Sequence, residues 1–435
     1  MREIDQILEF TIHLGKNMLE TGANVERVNL AMSRVLHAYE ISEVSLHTMS
    51  THISISGCDK NGHLGIRQIS VDGNSIFLEK LKRLNSLSYQ IAEEKPALDT
   101  LFPKMEEAMN VKDYPWFVIL AGFLVALAGL ARIFSASWQE LLVIELNTLL
   151  LFGLNIIWSR YRINHIITNF IGMFLASAIG LFFTYIGFAQ NFYTIAITTA
   201  FFLIPGIPMV NSVRNILSGN ELNGIVELLK VLLEVVTIVA GLAAALFSFG
   251  FWMDATLEES IVITNPTFLY YLELVFMTLM CSVGFGISFR ISLKDLVFAG
   301  IGGVIIRIVY ILMMIAAPDY RIIYVTIPAF SAALYAEIVA HIRKQPSTLY
   351  LYPSIVPLIP GDLIYYTGLA IIWNNVALLN NGVECLLHLV GMSVGFVICS
   401  SVVLGVRRIK LKKLLQALTL KRRKERSEIE NSDEQ

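Results

Sequence analysis

The chain has 435 residues, of which 55% are hydrophobic and only 16% are charged, and its mean hydropathy is +0.63. These values exclude an ordinary soluble globular protein and predict a polytopic α-helical membrane protein. The formal net charge of −2 says little about partners, because most charged residues precede Lys112 or follow Val406. The four cysteines have no metal-site or disulfide-framework spacing, so we interpret them as packing residues and expect no metal and no cofactor.

The first hundred or so residues predict a small α+β domain, residues 1–112. Apolar residues recur at helical spacing over residues 3–38, strand-like patterns cover 44–56 and 64–71, and helical period returns over 75–91. Many charged side chains indicate contact with water. The N-terminus lacks the basic region and apolar core of a cleavable signal, so we expect this domain to stay in the cytoplasm.

Ten apolar segments follow, each near the 20 residues that a helix needs to cross the hydrocarbon core of a bilayer. Their predicted spans are 116–134, 139–158, 165–187, 191–211, 224–253, 267–289, 296–317, 321–341, 349–373 and 383–406.

Basic residues between these segments predict the orientation, because Lys and Arg accumulate in cytoplasmic loops. Arg132 and Arg321 fall on the opposite side, together with an acidic loop at 254–259, but the balance favours a multi-pass protein of the cell membrane with both termini in the cytoplasm. The residues on the predicted cytoplasmic side are Lys104, Lys112, Arg160, Arg162, Arg214, Arg290, Lys294, Arg343, Lys344 and the cluster from Arg407 onward.

The apolar region contains an internal repeat. The tetrapeptide 203–206, Leu-Ile-Pro-Gly, recurs at 358–361, and the segments 129–142 and 284–297 align with the same offset of 155 residues (284 − 129), pairing serines and acids at equivalent positions. Each half holds five spans, an odd number, so the second half must be inverted. We therefore predict membrane repeats 113–253 and 254–406 and a basic-then-acidic tail 407–435; the alternative is a duplication that now serves only packing.

Proline and glycine interrupt the helix in both copies of the tetrapeptide, and groups freed in this way must face protein or a watery cavity. Paired interruptions in corresponding halves indicate a transporter's binding site near the bilayer midplane. The predicted substrate-binding residues are Pro205, Gly206, Asn211, Pro360, Gly361, Asp362, Tyr365 and Arg307.

Acidic residues in the apolar spans are candidates for coupling to protons or sodium, because ionisable groups within a bilayer are costly. Glu227 and Glu384 occupy matching places in the two halves, and Glu234 and Glu337 lie deeper. The alternative is that these are interfacial carboxylates near helix ends. Arg307 either clamps a substrate carboxylate or pairs with Glu337 or Glu145.

A catalytic alternative places a nucleophile, a base and an orienting acid in the soluble domain. His47, Ser50, His52 and Asp72 are the main candidates, with Thr48 and Thr51 beside them, but no Gly-x-Ser-x-Gly turn accompanies them. There is also no phosphate-binding loop for direct use of ATP. We therefore favour a protein that is not an enzyme and binds a small molecule and the lipid bilayer, not nucleic acid.

Residues 18–28, MLETGANVERV, followed by the strand at 48–56, resemble the N-terminal part of the threonine/serine exporter family, and the second half resembles its companion domain, here fused in one chain. The resemblance implies an exporter of small metabolites, with threonine and serine as the named substrates. Relatives split into two chains resemble dicarboxylate exporters, so a succinate-like cargo is the alternative. We expect a secondary active exporter, proton-coupled, working by alternating access.

Overall fold

The N-terminal domain combines four helices with a three-stranded sheet, which confirms the predicted α+β domain. The computed structural model describes residues 2–71, 73, 75–161, 163–249, 267–372, 380–403 and 405. The elements of the domain are α1 (Glu3–Glu20), α2 (Val25–Ala38), β1 (Ser42–Thr48), β2 (His52–Cys58), β3 (Leu64–Ser70), α3 (Leu78–Glu94), a 3₁₀ turn at Leu98–Thr100 and α4 (Leu101–Met109).

The sheet is antiparallel in the order β1-β2-β3, and β2 alternates between buried and half-buried side chains. Ile53 and Ile55 on its inner face are fully buried. They pack against α1 and its buried apolar residues, such as Leu8. The apolar face of the helix and the apolar face of the strand, both predicted from the sequence, therefore form one core.

The membrane region contains twelve described helices, of which eight are long and apolar enough to cross a bilayer. The remaining four are two pairs of half-helices, so the ten predicted segments correspond to eight continuous helices and two broken ones. The helices are α5 (Trp116–Ile133), α6 (Trp138–Tyr161), α7 (His165–Tyr185), α8 (Phe192–Ala200), α9 (Gly206–Leu217), α10 (Glu221–Phe249), α11 (Phe268–Ser288), α12 (Leu293–Ala316), α13 (Arg321–Arg343), α14 (Thr348–Ile355), α15 (Gly361–Ile372) and α16 (Asn380–Val403).

The turns α5–α6 and α11–α12 have the same backbone conformation. Ser135 and Arg290, which are 155 residues apart, both adopt a left-handed conformation, with φ of 61° and 57°. Each turn then presents an acid at the start of the next helix. Glu140 accepts a hydrogen bond from the backbone N–H of Ser137 (2.7 Å), and Asp295 accepts one from the Ser292 hydroxyl (2.7 Å).

Helices α5 and α11 cross through a pair of glycines that are equivalent in the repeat. A Cβ atom at Gly129 would lie 2.6 Å from the Met277 carbonyl oxygen, and one at Gly284 would lie 2.6 Å from the Gly122 carbonyl oxygen. Both pairs obey the 155-residue offset, so each helix makes the same contact on the other, as a two-fold axis requires. Gly122 also faces Ile287, so the sequences run in opposite directions along the crossing. The two halves are therefore inverted with respect to each other.

The N-terminal domain docks on one end of the helix bundle, called here the domain side; the opposite end is the far side. The Leu78 N–H donates to the Phe289 carbonyl oxygen (3.0 Å), and Lys82 forms an ion pair with Asp295 (3.0 Å). The described end of α16 also reaches the domain side, where Ser400 accepts a hydrogen bond from Arg214.

Candidate functional site

The two helix breaks meet in the centre of the bundle. A Cβ atom at Gly206 would lie 2.5 Å from Ile359 Cδ1, and one at Gly361 would press on the ring of Phe201. The breaks share a local geometry, since the Gly206 N–H donates to the Ile204 carbonyl (2.8 Å) just as the Gly361 N–H donates to that of Ile359 (2.9 Å). Because α9 and α15 both begin here, the positive ends of two half-helix dipoles point to the centre.

A cavity of about 280 Å³ lies beside the first break, toward the domain side. Residues from α5, α9, α10, α11 and α14, from both breaks and from the soluble domain line it, so it lies between the domain on one side and the breaks on the other. The lining residues are Leu19, Gly22, Ala23, Asn24, Val25, Ser50, Ile76, Phe123, Phe201, Phe202, Ile204, Pro205, Gly206, Ile207, Pro208, Asn211, Asn215, Glu227, Phe285, Phe289, Tyr352, Val356 and Ile359.

Four polar side chains of the cavity form two hydrogen-bonded pairs. The Asn211 amide donates to the Tyr352 hydroxyl (3.1 Å), and the Asn215 amide donates to a carboxylate oxygen of Glu227 (3.0 Å). Apolar and aromatic walls with a few convergent polar groups are typical of small-molecule sites. Of the predicted site residues, the cavity thus brings together Pro205, Gly206, Asn211 and Glu227.

The second break faces mostly protein, although its residue Ile359 lines the cavity. Arg307 Nη2 lies 3.5 Å from the Pro357 carbonyl oxygen, and His388 Nε2 donates to the Leu358 carbonyl oxygen (2.8 Å). Side chains of α12 and α16 therefore donate hydrogen bonds to carbonyl groups that the interrupted helix leaves without a helical partner. Pro360 and Gly361 lie at this break without lining the cavity.

Asp362 and Tyr365 lie beyond the second break, toward the far side. The charged neighbours of Asp362 are Arg321 and Glu384. The Tyr365 ring packs at 6.2 Å from that of Tyr193. Neither side chain reaches the cavity.

The other candidate coupling acids lie apart from the cavity. Glu384 forms an ion pair with Arg321 (2.8 Å). Glu337 accepts a hydrogen bond from the Ser347 hydroxyl (2.7 Å). Glu234, on α10, is half-buried, with Lys230 and His165 as its basic neighbours.

Arg307 pairs with neither of the acids considered from the sequence. Its Nε donates to the Thr278 hydroxyl (2.8 Å), and no ion pair to it occurs among the described residues. Both carboxylate oxygens of Glu145 are buried without a hydrogen-bond partner in the described part of the chain. Glu337 instead interacts, through Ser347, with Arg27 of the soluble domain (2.9 Å). Burial lowers the pKa of the Arg27 guanidinium, and Glu337 opposes that shift.

Comparison with known families decides which kind of protein carries this cavity. A family described as "Putative threonine/serine exporter" matches residues 9–249, and one described as "Threonine/Serine exporter, ThrE" matches 274–402. The chain belongs to the threonine/serine exporter family. It is similar to a "Probable threonine/serine exporter" of Mycobacterium tuberculosis (strain ATCC 25618 / H37Rv), with 20% identity over 366 residues, 83% of this chain and 69% of that protein. No solved structure matches the chain significantly.

Sequence reasoning missed part of the cavity. Asn215 lies four residues after Asn211 and therefore on the same face of α9, a spacing that could have identified it. Tyr352 and the turn at 22–25 carried no such signal, because only the folded chain brings α14 and the soluble domain to the first break.

Among the described residues, the polar strand residues considered as catalytic candidates form no hydrogen bond with one another. The strand register pairs His47 with Ser54 and His52 with Ser70, and the Ser50 N–H donates to the Asn223 side chain (2.8 Å). Ser50 is thus a docking contact to the membrane region. Asp72 lies outside the described residues, as do Arg162, the acidic loop at 254–259 and the tail 407–435. The described residues contain no cluster of three or more His, Cys, Asp or Glu side chains that could hold a metal ion.

Proposed function

We propose that this protein is a secondary active exporter of threonine and serine that works by alternating access around a site between the inverted repeats. The observation that carries the proposal is the cavity beside the first break, which contains Asn211, Asn215 and Glu227 and is separated from the far side by the contact between the two breaks. Sites of this kind lie at repeat interfaces near the midplane.

The groups around the cavity suit a small zwitterion with a hydroxyl. The N-terminus of α9 favours a carboxylate, because its dipole and its first N–H groups are oriented toward the centre. Glu227 offers a negative charge to an ammonium group, and the Asn211 amide offers a partner to a hydroxyl. Aromatic and aliphatic side chains surround these contacts.

We assign the domain side to the cytoplasm of the cell. Basic residues concentrate at the domain-side ends of the helices, whereas Arg132 and Arg321 at the far side are neutralised by ion pairs with Glu273 and Glu384. The cavity then faces the cytoplasm, as an exporter requires for loading. The basic residues at the domain-side ends of the helices are Arg160, Arg214, Arg290, Lys294, Arg343 and Lys344.

We assign coupling to a proton carried by Glu227. Glu227 lines the cavity, so substrate and proton can compete for or share the same carboxylate, while Glu384 is engaged in an ion pair. Sodium is the rival coupling ion, and a dicarboxylate is the rival cargo.

Flux in proteoliposomes tests the proposal. Purified protein should exchange labelled threonine and serine, and an imposed pH gradient should drive net movement without sodium. Asn211→Ala should slow this flux at least about tenfold, because a polar partner of the substrate is lost, whereas Asn155→Ala, at an exposed position on α6, should leave it unchanged. Absence of threonine and serine flux in the wild type, or flux of dicarboxylates alone, would refute the assigned cargo; a strict sodium requirement would refute the assigned coupling.

A further inference from the structure

The repeat relates the open cavity to a closed region on the far side. Phe289 and Val356 line the cavity, and their equivalents 155 residues earlier are Phe134 and Phe201. The Phe134 ring is not among the cavity-lining residues and packs at 5.6 Å from the ring of Phe201, which lines the cavity and also covers Gly361. The position that is open to the cavity at Phe289 is therefore closed by packing at Phe134 in the other half.

Three residues beside the open cavity form an aromatic cluster. Phe123 and Phe202 line the cavity with their rings 4.7 Å apart, and Phe152 packs at 6.2 Å from Phe123. The wall of the cavity next to the first break is therefore apolar.

The equivalent cluster in the second half is polar. The residues 155 positions after that aromatic cluster are Thr278, Arg307 and Pro357. They too are in contact, since Arg307 donates to the Thr278 hydroxyl (2.8 Å) and lies 3.5 Å from the Pro357 carbonyl oxygen. The three positions are thus in contact in both halves, but the second half has Arg307 where the first half has Phe152.

Arg307 is an unbalanced charge at this position. Its side chain is only 8% exposed, and no described acid forms an ion pair with it. A guanidinium has five N–H donors, of which the two hydrogen bonds to Thr278 and Pro357 engage two, and Tyr310 adds a cation–π contact at 5.7 Å. Burying a positive charge within a membrane costs free energy unless an anion compensates the charge.

We propose that Thr278, Arg307 and the Pro357 carbonyl form a subsite for the substrate carboxylate, lining a second vestibule that opens to the far side. The proposal rests on the proposed function, because that vestibule exists only in the state reached by exchanging the conformations of the inverted halves. In that state Asp362 and Tyr366, the equivalents of Ile207 and Asn211, line the vestibule as well.

With this subsite, the substrate carboxylate binds to different groups on the two sides of the membrane. On the domain side the substrate carboxylate meets helix N-termini and apolar walls, and on the far side it meets a full positive charge. The guanidinium binds a carboxylate through paired N–H donors, a geometry that an ammonium or an amide cannot reproduce.

Discrimination between threonine and its amino alcohol, which lacks the carboxylate, tests the subsite. With ligand applied on the far side, wild-type protein should prefer threonine, whereas Arg307→Gln should raise the KM for threonine at least about tenfold and abolish that preference. Arg307→Lys should keep part of it. Arg132→Gln, which removes the arginine paired with Glu273, is the matched control and should retain the preference.

Thiol labelling tests the vestibule without altering Arg307. Thr278→Cys in a chain without its native cysteines should react with an impermeant maleimide from the far side, and threonine should slow the reaction. Phe123→Cys should react from the domain side, and a chain that retains only Cys58 of the soluble domain reports that side. Failure of wild-type flux would overturn the proposed function. Intact flux, with an unlabelled Thr278→Cys or an unchanged preference in Arg307→Gln, would overturn the subsite alone.

Discussion

At the scale of single residues, the cavity contains one carboxylate, that of Glu227, and two hydrogen-bonded amides on α9. Glu227 is held by Asn215 at 3.0 Å, and Asn211 is held by Tyr352 at 3.1 Å. Fixed side chains lose little further freedom when a ligand binds, so the site is preorganised for a small polar molecule. Glu384, which lies near the matching place in the second half of the sequence, forms an ion pair with Arg321.

Glu227→Gln should separate binding from coupling. The amide keeps the size of the side chain but carries no exchangeable proton, so we expect exchange of threonine to persist while movement driven by a pH gradient falls at least about tenfold. Both rates can be measured in the same proteoliposomes. Glu221→Gln is the control, because Glu221 is exposed at the start of the same helix. Full pH-driven movement by Glu227→Gln would remove this residue from the coupling step.

At the scale of elements, the two halves contact each other through the backbones of α5 and α11. Gly129 and Gly284 allow α5 and α11 to approach so closely that a Cβ atom on either would meet carbonyl and amide atoms of the other helix. Without a hydrophobic driving force in lipid, such close packing is a main source of helix association. The crossing therefore both stabilises the bundle and sets the two-fold axis.

Gly129→Ala and Gly284→Ala should each destabilise the protein by about 1–3 kcal/mol, because backbone atoms cannot shift aside as side-chain ends can. Gly153→Ala should be close to neutral, since nothing lies within 4 Å of a Cβ atom there. Thermal unfolding in detergent, followed by loss of monodisperse protein, measures the difference. Equal midpoints for all three variants would show that the crossing tolerates separation.

At the scale of the whole molecule, the soluble domain forms one wall of the cavity. Its turn at 22–25 lines the cavity, and Ser50 holds the start of α10 through Asn223. Arg27 reaches the start of α14 through Ser347. The domain thus contacts both halves of the repeat at the end of the bundle toward which the cavity lies.

Fixing the domain to the membrane region should stop transport if substrate passes between them. A disulfide between Ser50→Cys and Asn223→Cys, in a chain without native cysteines, should lower threonine flux at least about tenfold under oxidising conditions, with recovery after reduction. Each single cysteine variant is the control, and gel mobility after proteolysis measures the cross-link. Unchanged flux in a fully cross-linked sample would show that the domain can remain in place during transport.

The amino-acid sequence by itself determined the membrane class, the repeat offset and the two breaks. Apolar segments of about 20 residues have few alternatives to crossing a bilayer, and Leu203–Gly206 and Leu358–Gly361 mark helix interruptions by backbone chemistry alone. Their inverted arrangement followed from an odd number of spans per half. The α+β domain was predictable because its burial follows period 3.6 along α1 and period 2 along β2.

Only the tertiary structure decided which residues share a site. Asp362, Arg307 and Glu337 were candidates for one cavity, yet they lie near Arg321, Thr278 and Ser347 respectively. The membrane segment predicted to end at 211 also continues to Leu217, because its polar residues turn toward protein and the soluble domain. Helical period fixes the face on which a side chain lies, whereas the partner of that face depends on how the two halves cross, and this is set by contacts between residues far apart in sequence.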